Sequence, residues 1–183
     1  MYSMNTLNLN LPTVLTLSRI VLIPFFVLTV QDHPILGAVV FGIASITDFL
    51  DGYLARRSGQ ITKFGIIMDP LADKLLVISA LIVLVDMERI AVEIAIILIV
   101  REFLVTGLRV VALSKDIMIP AEMGGKLKTT AQITAVLCLI LMGSFFDNLP
   151  IDLYDIGTAF LWIALVLSVT SGVQYTISFW KRV

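Results

Sequence analysis

The sequence has very few residues of the kinds that build disulfides, zinc sites and histidine-based catalysis. It contains one cysteine, Cys138, and one histidine, His33, among 183 residues. A single cysteine excludes an intrachain disulfide, and within an apolar run Cys138 is expected to be a small packing residue. His33 lies in a short polar segment beside Asp32 and Pro34, which is typical of a solvated loop. Histidine acid–base chemistry is therefore not expected.

Charged residues are also scarce, making up 15% of the chain, and the formal net charge is −1. Because there is no basic excess, no nucleic-acid partner is expected. Apolar residues make up 58% of the chain and the mean hydropathy is +1.00, whereas a soluble domain has roughly 45–50% apolar residues. The composition therefore predicts an integral membrane protein.

Apolar runs separated by short polar connections account for nearly the whole chain. Since a membrane-spanning helix needs about 20 residues, we expect an all-α protein with six transmembrane helices in a single membrane domain, residues 1–183. The first ten residues contain no basic segment and no small-residue cleavage site, so the first run is expected to be retained as a helix. The predicted spans are 11–30, 35–57, 65–85, 90–113, 127–146 and 154–180.

The basic residues indicate how these spans are oriented. They follow the second span, surround the fourth connection and end the chain, at Arg56, Arg57, Lys63, Lys115, Lys126, Lys128, Lys181 and Arg182. The alternate connections are acidic, with Arg89 as their only basic residue. The positive-inside rule then places both termini and the loop between the second and third spans in the cytoplasm. We expect a multi-pass protein of the inner (cytoplasmic) membrane.

Four aspartates, Asp48, Asp51, Asp69 and Asp73, lie in the second and third predicted spans near this cytoplasmic loop. The first pair is three residues apart and the second four apart, so each pair shares one face of its helix. One aspartate at a helix end is usually solvated, but four in neighbouring spans are tolerable only if a cation joins them. Oxygen ligands without nearby histidine or cysteine favour Mg²⁺, Mn²⁺ or Ca²⁺ over zinc or copper, and a pair of such ions could bridge a diphosphate.

Small residues accompany these acids. Gly52 and Ala55 follow Asp51, and Gly65 precedes Asp69 by four residues. They would let a bulky ligand approach the backbone, although ordinary helix packing is an alternative. A path for cations or protons is a second alternative explanation of the acids, but transport does not require small residues at such regular spacing.

Residues 48–73 follow the pattern D-x-x-D-G-x-x-A-R-x8-G-x-x-x-D-x-x-x-D. This pattern resembles the signature of the CDP-alcohol phosphotransferases, and every fixed position is met. The resemblance implies a six-helix membrane bundle of that family's type, usually a homodimer, with two Mg²⁺ or Mn²⁺ ions that hold the diphosphate of a CDP-linked lipid. It implies that the metal ligands are Asp48, Asp51, Asp69 and Asp73, with Asp73 also the catalytic base. It implies that the CDP-lipid is bound by Asp48, Asp51, Gly52, Ala55, Arg56, Gly65 and Asp69.

Other segments narrow the resemblance to members that transfer a phosphatidyl group from CDP-diacylglycerol to glycerol 3-phosphate. They are NLPTVLTLSRIVLIPFF in the first span, REFLVTGLR in the fourth and GKLKTTAQ in the fifth. Glycerol 3-phosphate is a dianion and needs a basic pocket. The residues predicted to bind its phosphate are Arg101, Arg109, Lys126 and Lys128.

Each of these basic residues has another possible role. Arg101 could form a salt bridge with Glu102 or Glu93, because a buried charge needs a partner. The two lysines could serve as topology signals or contact anionic lipid. Arg19 in the first span could contact the lipid-linked diphosphate, or it could snorkel to the interface. Sibling enzymes that use inositol phosphate, serine or phosphatidylglycerol share the aspartates, and a cation transporter is the alternative of a different class.

Overall fold

Six helices make up the structure, a computed structural model that describes the backbone of residues 11–58, 63–114, 123–143 and 152–181. Side chains are described for residues 18–47, 74–112, 114, 127–143 and 152–181. No strand occurs within these ranges, which agrees with the all-α prediction. The helices are α1 (Leu11–Thr29), α2 (Pro34–Ser58), α3 (Lys63–Asp86), α4 (Val92–Ser114), α5 (Met123–Leu141) and α6 (Leu153–Trp180).

The fifth helix differs most from its predicted span. The span was placed at 127–146, but α5 is Met123–Leu141. It begins earlier because the glycine pair at 124 and 125 is helical and does not interrupt the backbone. It ends in a turn at Met142 and Gly143, where Gly143 has φ +77°. Glycine adopts this left-handed conformation without steric cost, so it commonly terminates a helix.

The chain forms two compact units, Met1–Ala80 and Leu81–Val183. In the first unit, α1 and α2 form a hairpin whose turn carries the exposed His33, as predicted. Gly37 allows a close approach at this turn, because a Cβ added there would lie 2.6 Å from Cβ of Val30. Farther along the hairpin, Phe26 and Phe41 are fully buried, with ring centroids 5.7 Å apart. This aromatic pair holds the two helices together.

In the second unit, α6 packs against both α5 and α4. Its first turn is capped by Asp152, whose side chain accepts a hydrogen bond from the backbone N–H of Tyr154 at 2.8 Å. A Cβ added at Gly157 would lie 2.7 Å from Cγ of Leu139 on α5. A Cβ added at Gly172 would lie 3.2 Å from Nε of Arg101 on α4. Small residues therefore let α6 approach both neighbours, as in many membrane helix interfaces.

Large apolar side chains cover much of the helix surfaces. Val21, Leu28, Leu104 and Trp180 are each more than 60% exposed, which suits a hydrocarbon environment better than water. Among the described residues, one helix, α6, is long and apolar enough by itself to cross a membrane. The remaining spans, and the assignment of residues 1–183 to a single membrane domain, stay predictions.

Candidate active site

The motif residues lie on two helices. On α2 are Asp48, Asp51, Gly52, Ala55 and Arg56, and on α3 are Gly65, Asp69 and Asp73. Because both segments are helical, each pair of aspartates occupies one face of its helix, and such carboxylates are the donors that hard divalent cations prefer. Their side chains lie outside the described residues, so their metal and CDP-lipid roles stay predictions. Among the side chains that are described, no group of three acidic, histidine or cysteine residues forms a rival metal site.

A largely buried charged group joins α4 to α5. Oε1 of Glu102 accepts a hydrogen bond from Nη1 of Arg101 at 3.1 Å and forms an ion pair with Nζ of Lys128. The exposed side-chain fractions are 15% for Arg101, 20% for Glu102 and 7% for Lys128. The sequence offers Glu102 or Glu93 as a salt-bridge partner of Arg101, and in the structure the partner is Glu102. One carboxylate thus serves two cations.

Arg101 also joins α4 to α6. Its Nε donates to the backbone carbonyl of Ser168 at 2.7 Å, and its Nη2 donates to Oγ of Ser171 at 2.6 Å. Together with Glu102, these acceptors contact all three guanidinium nitrogens. The planar guanidinium is therefore held in one orientation, directly over the position where Gly172 has no side chain.

Arg109 lies two turns beyond Arg101 on α4. Its Cζ is 6.0 Å from the ring centroid of Tyr175, within the range of a cation–π interaction. Tyr175 follows Ser171 by four residues on α6, so both lie on the same helix face. Arg101 and Arg109 therefore follow one line of contact between α4 and α6. Lys126 belongs to the first turn of α5, but its side chain lies outside the described residues.

Arg19 lies in α1 and is only 1% exposed. An arginine that snorkels to the interface keeps its charged head in water. The burial of Arg19 therefore argues against snorkelling. Contact with the lipid-linked diphosphate stays a prediction for Arg19.

The outward-facing cation in the predicted topology, Arg89, has a structural role. Its Nη1 donates to the backbone carbonyls of Leu139 and Ile140 at 2.5 Å and 2.7 Å. These carbonyls belong to the last turn of α5, where carbonyl groups lack partners within the helix and a positive charge is favourable. The charge of Arg89 therefore stabilises the end of α5. This structural role explains why one basic residue occurs in the connections that are otherwise acidic.

An apolar groove of about 460 Å³ runs between α4 and α6. Its walls include Ile97, Val100 and Leu104 from α4 and Val169 and Val173 from α6. Arg101 and Gly172 also line it, so the groove borders the charged group described above. A lining of this kind suits a hydrocarbon chain better than a polar ligand.

Several residues around the basic cluster are not singled out by the sequence. Ser168 and Ser171 hold Arg101, and Tyr175 contacts Arg109. Their spacing of three and four residues places them on one face of α6, and polar residues on one face of an apolar helix are the signal that could have identified them. Their partners on α4 depend on helix packing, which the sequence pattern does not specify.

Comparison with known proteins gives concordant matches along most of the chain. Residues 9–170 match the CDP-alcohol phosphatidyltransferase family. A protein of Bacillus subtilis (strain 168) is 43% identical over 94% of this chain and 96% of its own length. A protein of Rickettsia bellii is 39% identical over 91% of this chain and 93% of its own length, and one of Haemophilus influenzae is 37% identical over 91% of both. All three are named CDP-diacylglycerol--glycerol-3-phosphate 3-phosphatidyltransferase. The chain therefore belongs to the CDP-alcohol phosphatidyltransferases, membrane-embedded enzymes that use divalent metal ions, as the motif predicted.

Proposed function

We propose that this protein transfers the phosphatidyl group of CDP-diacylglycerol to glycerol 3-phosphate, giving phosphatidylglycerophosphate and CMP. The observation that carries the proposal is the agreement, over more than nine-tenths of the chain, with relatives whose name states this reaction. The transfer would supply a precursor of anionic phospholipids.

The basic cluster supports the choice of acceptor. Arg101 and Lys128 together carry two positive charges against the single carboxylate of Glu102, and Arg109 lies farther along the same face of α4. A phosphate dianion would be attracted to these cations, and arginine can grip phosphate through two parallel hydrogen bonds. We assign the acceptor phosphate to Arg101, Arg109, Lys126 and Lys128. Serine is a zwitterion at neutral pH, so it makes less use of such a cluster.

The donor would be bound at the motif on α2 and α3. Asp48, Asp51, Asp69 and Asp73 would hold two Mg²⁺ or Mn²⁺ ions, which when bound would neutralise the diphosphate and the departing CMP. The small residues Gly52, Ala55 and Gly65 would form the wall against cytidine. Arg56 would contact the nucleotide phosphates, and Arg19 the lipid-linked diphosphate.

The chemical step needs one proton transfer and one displacement. The Asp73 carboxylate accepts the proton of the 1-hydroxyl of glycerol 3-phosphate, and that oxygen attacks the β-phosphorus of CDP-diacylglycerol. The bond between this phosphorus and the bridging oxygen breaks, and CMP leaves with the electron pair. No covalent enzyme intermediate is required. The contribution of the protein is mainly positioning and electrostatic stabilisation.

We further propose a multi-pass topology in the inner membrane, with the active site and both termini on the cytoplasmic side, and assembly as a homodimer. The uneven distribution of basic residues between the two sets of connections supports the orientation. Arg89 is the one basic residue in the acidic connections, and its hydrogen bonds to α5 give it a structural role there. The acyl chains of the donor would approach from the bilayer, between helices.

Measurement of CMP release tests the proposal. The purified protein is mixed with CDP-diacylglycerol and Mg²⁺, and glycerol 3-phosphate, inositol phosphate, serine and phosphatidylglycerol are offered separately. We expect CMP and phosphatidylglycerophosphate with glycerol 3-phosphate. Release with another acceptor alone would identify a sibling enzyme, whereas no release with any acceptor, in a folded preparation, would contradict the proposed activity and leave the cation transporter as the alternative.

A further inference from the structure

Glu102 is the centre of the buried group between α4 and α5, although it carries the charge opposite to that of an anion-binding residue. Its Oε1 contacts both Nη1 of Arg101 and Nζ of Lys128. The two cations come from different helices, and a single oxygen atom holds their charged ends close together. This arrangement fixes the separation of two residues assigned to the acceptor phosphate.

Burial makes such a partner necessary. Lys128 is 7% exposed in its side chain, and an ammonium group removed from water needs a nearby negative charge to stay charged. Lysine also has a flexible stem, so its ammonium group would occupy several positions without a fixed partner. A carboxylate on the neighbouring helix supplies both the charge and the position.

A second support acts on the other cation. Ser171 accepts a hydrogen bond from Nη2 of Arg101, and the backbone carbonyl of Ser168 accepts one from Nε. Glu102 therefore completes a set of acceptors that orients the guanidinium from α4 and α6 together. Arg101 and Lys128 together bring two positive charges to this group, so it can still attract a phosphate.

We propose that Glu102 is a positioning residue for the acceptor, holding Arg101 and Lys128 in the arrangement that binds the phosphate of glycerol 3-phosphate, with Ser171 supporting Arg101 from α6. This inference rests on the proposed function. It assigns Glu102 no contact with the substrate and no part in proton transfer. Its removal should therefore weaken acceptor binding and leave the chemical step nearly unchanged.

The test is Glu102→Gln, which keeps the shape of the side chain and removes its charge. Rates of CMP release are measured against glycerol 3-phosphate at saturating CDP-diacylglycerol. We expect KM for glycerol 3-phosphate to rise about tenfold, with kcat and KM for CDP-diacylglycerol within about twofold of wild type. The matched control is Glu93→Gln, an exposed acidic residue in the first turn of the same helix, which should keep all three values. An unchanged KM for glycerol 3-phosphate in Glu102→Gln, or a loss confined to kcat, would overturn the inference.

A double-mutant cycle separates positioning from a general structural effect. If Glu102 acts partly through Lys128, the effect of Glu102→Gln on KM should fall from about tenfold to about threefold or less in a Lys128→Met background. An effect of full size in that background would show that Glu102 does not act through Lys128, and the inference would fail.

Ser171→Ala keeps the inference testable if Glu102→Gln does not fold. This variant should raise KM for glycerol 3-phosphate by about threefold to fivefold, because one of the three supports of Arg101 is lost. The control is Thr170→Ala, an exposed neighbour whose hydroxyl bonds only to carbonyls of its own helix. A KM equal to that of the control would overturn the inference. If wild-type protein releases no CMP with glycerol 3-phosphate, the proposed function itself fails. If wild-type protein is active and the variants keep its KM for glycerol 3-phosphate, only the role of Glu102 is overturned.

Discussion

Replacing Gly172 by alanine tests the contact between α4 and α6 with the addition of a single methyl group. The new Cβ would lie 3.2 Å from Nε and 3.3 Å from Cγ of Arg101, and 3.7 Å from Cγ2 of Val105. The first two distances are too short for a comfortable contact, so the arginine must move by a few tenths of an ångström. Because hydrogen bonds of 2.7 Å and 2.6 Å hold its guanidinium to Ser168 and Ser171, we expect this movement to lengthen them.

The size of the effect follows from opposing contributions. Overpacking of this kind costs about 1–3 kcal/mol, and the better helix propensity of alanine offsets about 0.8–1 kcal/mol. We therefore expect a net loss of stability of about 1 kcal/mol. If the displaced guanidinium binds the acceptor phosphate more weakly by about 1 kcal/mol, KM for glycerol 3-phosphate rises about fivefold.

The assay combines thermal unfolding in detergent with the kinetics of CMP release. Gly107→Ala on α4 is the matched control, because no atom of the described residues lies within 4 Å of an added Cβ there and only the gain in helix propensity remains. Gly172→Ala should unfold at a lower temperature and show the higher KM, whereas Gly107→Ala should unfold at an equal or higher temperature and keep the wild-type KM. Identical behaviour of the two variants would refute the described packing of Arg101 on α6. A stability loss with an unchanged KM would refute only its role in acceptor binding.

Three further experiments address the remaining assignments. Asp73→Asn should reduce turnover to background while CDP-lipid binding, measured by equilibrium titration, is partly retained; full activity would remove Asp73 as the base. EDTA should stop the reaction and added Mg²⁺ or Mn²⁺ should restore it, whereas activity that persists in EDTA would contradict a dissociable metal cofactor. Arg89→Leu should destabilise the protein by about 1.5–3 kcal/mol in chemical unfolding, because a charged donor to two carbonyls at the end of α5 is lost; an unchanged midpoint would show that this cap contributes little.

Helix positions could be predicted well because hydropathy and short polar connections mark them directly. Five helices agree with their predicted spans within two residues at each end. The exception is α5, because a glycine pair in the sequence is typical of a connection, whereas the pair at 124 and 125 lies within the helix. The left-handed backbone of Gly143 then ends the helix early, and a hydropathy pattern does not reveal a backbone angle.

The two groups of candidate residues, the aspartate motif and the basic cluster, were predictable to different degrees. The aspartate motif is local in sequence, so the hydropathy of the second and third spans is enough to place it on α2 and α3. The basic cluster is different, because the contact of Glu102 with Lys128 joins residues on separate helices. The sequence offered Glu102 and Glu93 equally as partners of Arg101, and only packing distinguishes them. The carbonyl contacts of Arg89 were not foreseen either, because backbone acceptors leave no trace in side-chain composition.

The attachment of Arg89 to the last turn of α5 affects how the protein can move. It fastens the connection between α3 and α4 to the last turn of α5. The ion pair of Glu102 with Lys128 joins α4 to α5 a second time, nearer the start of α5. Because the two attachments lie at different heights along α5, we expect them to resist both sliding and splaying, so that α4 and α5 move together.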